Sequence, residues 1–168
     1  MKLTSVDLKY YILSYYRYIR HFFVVATEVP VLNHFVADVI AATNRDVVEI
    51  EIKTSLADFF KEFQSKESKH NMYLTGSINN VKLKPIQYKK MPNRLFYAAE
   101  KHLIPDILRV LRGTPYGLIS VDTSKSQPVE VVKPANKLHT IFPQRVYNRA
   151  ILRCTSELCT LYKDLLKL

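Results

Sequence analysis

Ala37-Asp38-Val39-Ile40-Ala41-Ala42, then Thr43-Asn44-Arg45-Asp46, then Val47-Val48-Glu49-Ile50-Glu51-Ile52-Lys53-Thr54-Ser55 is the stretch that decides how this chain is read. The outer segments are rich in Val and Ile, and the middle one is turn-like, so two neighbouring β-strands are predicted. Side chains alternate along a strand, which puts Glu49, Glu51 and Lys53 on one face and Val48, Ile50 and Ile52 on the other. Asp38 adds an acid on the preceding strand. Two carboxylates brought together by adjacent strands, with an ammonium two residues on, suit a hard divalent cation that keeps several waters. Such a cation polarises a phosphate, generates hydroxide and stabilises a leaving oxygen, as phosphodiester hydrolysis requires.

Working outward, residues 4–21 read as a helix, with Leu8, Tyr11, Ile12, Tyr15, Tyr16 and Ile19 at helical spacing and Thr4 or Ser5 as its cap. Residues 22–29 form a β-rich run ended by Pro30, and residues 32–35 a hairpin turn. Ser55 opens a helix to about Asn71, with Asp58 three residues on as an Asp-type capping box. Residues 75–93 read as a long polar loop charged by Lys82, Lys84, Lys89 and Lys90. Residues 94–99, 116–121 and 129–132 are further strands, and residues 105–111 a short helix. A terminal helix over 144–168 carries Val146, Ala150, Ile151, Cys154, Leu158, Leu161, Leu165 and Leu166 on its apolar side. Residues 1–140 are thus expected to form one α/β domain, with 141–168 a helical extension packed on it.

The chain has 168 residues, of which 48% are hydrophobic, ample for one core. Lys and Arg exceed Asp and Glu by 25 to 15, a net charge of +10, which favours a polyanionic partner: nucleic acid, or less readily an anionic membrane surface. Cys154 and Cys159 fit a reducing compartment and lack the further ligands of a zinc site. Asp7, Lys9, Arg17 and Arg20 interrupt the first segment, so no signal peptide is expected, and no apolar run is long enough to span a membrane. A cytoplasmic or nucleoid-associated protein is the expectation. Only three glycines are present, and no phosphate-cradling Gly-rich loop is visible.

The order helix, three strands, helix, strand, with an acid on the second strand and Glu-x-Lys on the third, resembles the PD-(D/E)xK nuclease superfamily. Within it the chain is most similar to the MmcB-like DNA repair group. The similarity runs through Ala37-Asp38-Val39, residues 49–55, Asp58-Phe59, Lys69-His70-x-x-Tyr73, residues 94–98 and residues 116–122, and so covers roughly residues 20–135. Ala37 stands where the superfamily's name has Pro.

The resemblance implies a restriction-endonuclease-like fold, a central mixed sheet flanked by helices. It implies a Mg²⁺- or Mn²⁺-dependent DNA nuclease acting in repair, recombination or phage-type DNA processing. Asp38 and Glu51 would be metal ligands, with the carbonyl of Ile52 a third, and Lys53 would hold the attacking water or the scissile phosphate. Glu49 is either a further group near the metal or an exposed strand-start acid. Glu28 faces Asp38 if the hairpin turn is three residues centred on Asn33, and the opposite side if it is two. Lys69 and Tyr73 would point back toward the site, where a lysine contacts DNA phosphate, with Gln64 joining them. Lys82 and Lys84 extend the candidate DNA surface. The alternatives are a non-cleaving nucleic-acid-binding module of the same fold, or a basic scaffold that pairs with itself or a partner protein through the terminal helix.

Overall fold

The computed structural model describes residues 2–32, 34–78 and 80–166. Helix α1 (Ser5–Ser14) runs into a π-helical turn (Tyr15–Ile19), followed by strands β1 (Val24–Val31), β2 (Phe35–Ala42) and β3 (Val47–Lys53). Helices α2 (Leu56–Ser65) and α3 (Glu67–Thr75) come next, then a small hairpin of β4 (Ser77–Ile78) and β5 (Val81–Lys82) and a one-turn helix α4 (Pro85–Tyr88). Strand β6 (Arg94–Glu100), helix α5 (Ile104–Leu111), strands β7 (Gly117–Val121) and β8 (Val129–Lys133), and helix α6 (Gln144–Leu165) complete the chain.

Six strands form one mixed sheet in the order β1-β2-β3-β6-β7-β8. β1, β2 and β3 meander antiparallel; β3, β6 and β7 run parallel, and β8 returns antiparallel. The α2–α3 segment is the crossover that a parallel β3–β6 pair demands. Val48, Ile50 and Ile52 pack with Leu8 and Ile12 of α1 on one face. On the other, Phe59 of α2 and Met72 and Tyr73 of α3 cover Leu95, Tyr97 and Leu118. Central parallel strands are buried on both faces and usually read as unbroken apolar runs. All seven residues of β3 are buried, yet three of them are Glu49, Glu51 and Lys53, so the fold holds three charges where packing alone would place none.

Thr4 is the cap of α1: its hydroxyl accepts the Asp7 N–H and the Asp7 carboxylate accepts the Thr4 N–H. Pro30 lies inside β1 rather than ending it, which an edge strand tolerates because one row of its N–H groups has no ladder partner. The helix predicted from Ser55 to Asn71 is two helices, broken at Lys66 (φ −117°, ψ 31°) and extended to a left-handed Gly76 cap. Ser55 caps it by accepting the Asp58 N–H, while the Asp58 carboxylate turns to the N–H of Thr54 instead of closing a capping box. The long polar loop is a β-hairpin followed by α4. Val146 and Ala150 of α6 are buried against Val24, Ala26, Val29 and Val31 of β1. Leu158, Leu161, Leu165 and Leu166 further along α6 are exposed. Among the described residues no helix is long and apolar enough to cross a membrane.

Candidate functional site

The β2–β3 ladder starts at Ala42↔Val47 and its last pair is Val39↔Ile50. One step beyond, the same register brings Asp38 level with Glu51. There Asp38 Oδ2 accepts the N–H of Ile52 at 2.8 Å. The strands open into a cavity of about 340 Å³ lined by Asp38, Glu51, Ile52, Lys53, Glu62 and Lys66, with Ser5, Asp58 and Lys61 among its other walls. Burial raises the pKa of Asp38 and the Glu51 charge raises it further; the Ile52 N–H, Lys9 and Lys53 pull the other way without prevailing.

Glu51 is the centre of an ion network. Lys69 Nζ lies 2.5 Å from its Oε1, and Lys66 Nζ lies 3.3 Å from both its oxygens. Burial pushes Glu51 up, but these two ammonium groups prevail and hold it at about 2. Lys69 also lies 2.5 Å from Glu49 Oε1 and 3.7 Å from Glu62 Oε1. Burial opposes the charge on Lys69, but the three carboxylates raise its pKa well above the ordinary value. Glu49, wholly buried, accepts the Tyr73 hydroxyl at 2.5 Å; burial lifts it to about 7 against the pull of Lys69, with the Glu51 charge adding to the rise. Lys53 Nζ donates to Glu62 Oε2 at 2.8 Å, and Lys66 Nζ sits 3.0 Å from the same oxygen. Burial works against the Lys53 charge, but Glu62, Glu51 and Asp58 keep its pKa raised.

The structure therefore gathers Asp38, Glu51, Ile52 and Lys53 at one cavity and separates the other expected residues from it. Glu49 is turned inward onto Lys69 and Tyr73, so it is neither an exposed acid nor a group of the cavity wall. β1 and β2 are joined by three residues, with Val31 opposite Phe35; Asn33 itself lies outside the described residues. That register sets Glu28 across from Asp38, but Glu28 (φ 52°) is exposed and pairs with Lys9, whose ammonium is 3.4 Å from Asp38 Oδ1. Lys69 and Tyr73 do point back toward the site. They are buried, however, and bind its carboxylates, so neither presents a surface to DNA. Gln64, Lys82 and Lys84 are exposed and lie outside the cavity wall.

Glu62, Lys66 and Lys9 are the residues that sequence reading missed. Glu62, Lys66 and Lys69 follow helical i, i+4 and i+3 spacing, a charged stripe that normally faces water. Its signal was the apolar company of Phe59 and Phe63 on the same helix face. His70 belongs to this layer, with Nδ1 3.1 Å from the Tyr116 hydroxyl and its ring stacked on Phe63; burial lowers its pKa to about 4.

Two carboxylates and a peptide carbonyl are a sufficient protein share for Mg²⁺ or Mn²⁺, which fill their remaining positions with water. Among the described residues no three His, Cys, Asp or Glu side chains converge as a metal cage, so a larger protein ligand set does not form. The pKa of Asp38 is raised first by burial and then by the Glu51 charge, and a cation would offset both. In these respects Asp38, Glu51 and the Ile52 carbonyl fit a hard divalent ion. No known protein-family model, curated protein or solved structure matches the chain.

Proposed function

We propose that this protein is a divalent-metal-dependent DNA nuclease of the PD-(D/E)xK type, with a restriction-endonuclease-like fold. The observation that carries the reading is the register of β2 and β3, which sets Asp38 level with Glu51 at the mouth of a cavity that Lys53 also lines. The element order α1-β1-β2-β3-α2/α3-β6 supports it, as does the parallel pairing of β3 with β6.

Asp38, Glu51 and the Ile52 carbonyl would hold Mg²⁺ or Mn²⁺, which when bound polarises the phosphate and lowers the pKa of bound water. Asp38 is positioned by its bond from the Ile52 N–H, so it is tied to the same residue that would offer the carbonyl. Glu51 stays ionised throughout the neutral range because Lys69 and Lys66 neutralise it. Lys53 supplies a fixed positive charge at the cavity, where negative charge grows on the phosphate oxygens during attack. Lys61 and Lys66 line the same cavity and add to its attraction for a polyanion.

The test is cleavage of supercoiled, linear, single-stranded and branched DNA with Mg²⁺ or Mn²⁺. Asp38→Asn and Glu51→Gln keep side-chain size and are expected to abolish cleavage together with metal binding. Lys53→Ala is expected to slow cleavage by roughly 10²–10³, the usual loss for one electrostatic contact to developing charge, while metal affinity is retained. DNA binding without cleavage of any form by the wild type would favour the non-cutting module.

A further inference from the structure

We infer that Lys66 is a built-in substitute for the divalent cation. Its ammonium occupies the Glu51 side of the cavity, is expelled when metal enters, and then joins Lys61 in the basic rim at the cavity mouth. This rests on the metal reading of Asp38 and Glu51.

Three lysines serve the carboxylates of this site, and their settings differ. Lys69 has no solvent exposure and is shared by Glu49, Glu51 and Glu62. Lys53 is about as deeply buried and tied to Glu62. Lys66 alone of the three is open to solvent, with a quarter of its side chain exposed. It straddles both oxygens of Glu51 at 3.3 Å, including Oε2, the oxygen that Lys69 leaves to a metal. These distances are longer than the 2.5 Å of Lys69 on Oε1, so Lys66 is the looser of the two partners.

The backbone is consistent with a movable role. Lys66 sits at the break between α2 and α3, outside the dihedrals of either helix. An ammonium and a divalent ion cannot share one carboxylate oxygen at close range, because their charges repel strongly in a site of low dielectric; Lys69 holds Oε1, and Lys66 is the ammonium at Oε2. The buried, triply held Lys69 is fixed, so Lys66, the more exposed of the two and otherwise tied only to Glu62 at 3.0 Å, is the group that yields. Without metal it neutralises Glu51 together with Lys69. With metal its charge moves to the mouth, where Lys61 already stands.

Two measurements without DNA test this. In Mn²⁺ titrations read calorimetrically, Lys66→Met is expected to bind at least tenfold tighter than wild type, because the competing cation is gone, and Asp38→Asn to bind much more weakly than wild type. In the wild type, amine labelling read by mass spectrometry is expected to rise several-fold at Lys66 when Mn²⁺ is added, with Lys69 protected throughout. Equal or weaker Mn²⁺ binding by Lys66→Met would overturn the exchange, and so would Lys66 labelling that Mn²⁺ leaves unchanged; the second result stands even if the variant fails to fold. Absence of Mn²⁺ binding by wild type and Lys66→Met alike would overturn the metal reading of Asp38 and Glu51 as well.

Discussion

At the scale of single residues, β3 carries a buried acid pair that the structure treats unequally. Glu49 is held near 7 and Glu51 near 2, the first because burial outweighs the pull of Lys69 and Tyr73, the second because two lysines share it. Glu49 thus retains a proton in the fold above the pH at which the unfolded chain releases it. Between its ordinary value of 4.5 and about 7 the native state binds more protons, so this residue's contribution to stability falls as pH rises and is level above about 7. Thermal melts should show wild type losing stability relative to Glu49→Gln across that window; a constant difference from pH 4.5 to 8 would mean that Glu49 titrates normally. Glu51 works in the opposite sense: its contribution is complete above 4.5 and is lost as pH falls toward about 2. Asp38, Glu51 and Lys53 were legible in the sequence because strand alternation and one short turn fix their relation. The fate of Glu49 was not, since alternation gives it the same face as Glu51 but says nothing of the lysine and tyrosine that arrive from α3. The resemblance implies Lys69 and Tyr73 directed at the site as DNA contacts; their burial against its carboxylates follows from how closely α3 lies on the sheet, which spacing does not encode.

At the scale of elements, strands were read closely and helix breaks poorly. β2 begins and ends where the Val/Ile pattern does, because a buried strand leaves little freedom in its composition. The break at Lys66 has no Pro or Gly to announce it; it is a tertiary choice that lets Glu62, Lys66 and Lys69 all reach β3. The hairpin inside residues 75–93 escaped notice because each of its strands is only two residues long. Gly117 at the start of β7 shows how tightly the central elements close: a Cβ there would collide with the Phe96 ring and approach the Ala135 N to 2.9 Å. Gly117→Ala should therefore destabilise the fold by about 1–3 kcal/mol, as overpacking of a filled core does. On α2, Phe59 is fully buried against Tyr97, and Phe59→Ala should cost about 3–5 kcal/mol and loosen the helix that carries Glu62. Chemical denaturation reads both; unchanged midpoints would contradict the packing described for these two elements.

At the scale of the whole molecule, the net charge of +10 and an acid-lined cavity fit one purpose if the basic groups surround the acids. Lys61, exposed at the cavity wall, is the residue best placed to test this. Lys61→Ala should weaken DNA binding without regard to sequence and reduce the dependence of log affinity on log salt by about one, the release of one counterion. An unchanged salt slope would place the DNA footprint elsewhere, with Lys82 on the hairpin and Lys84 at the start of α4 as the next residues to replace. The far half of α6 carries an apolar row legible in the sequence, but spacing alone does not show that Leu158, Leu161 and Leu165 stay exposed while Val146 and Ala150 pack on β1. The central claim is that Asp38 and Glu51 hold a metal that cuts DNA. Its most direct test is Mn²⁺-dependent cleavage of DNA by purified wild type and Asp38→Asn side by side. The account expects cleavage by the wild type, suppression by a chelator, and loss in the folded variant; cleavage that survives in Asp38→Asn, or a wild type inert on every form of DNA, would contradict it.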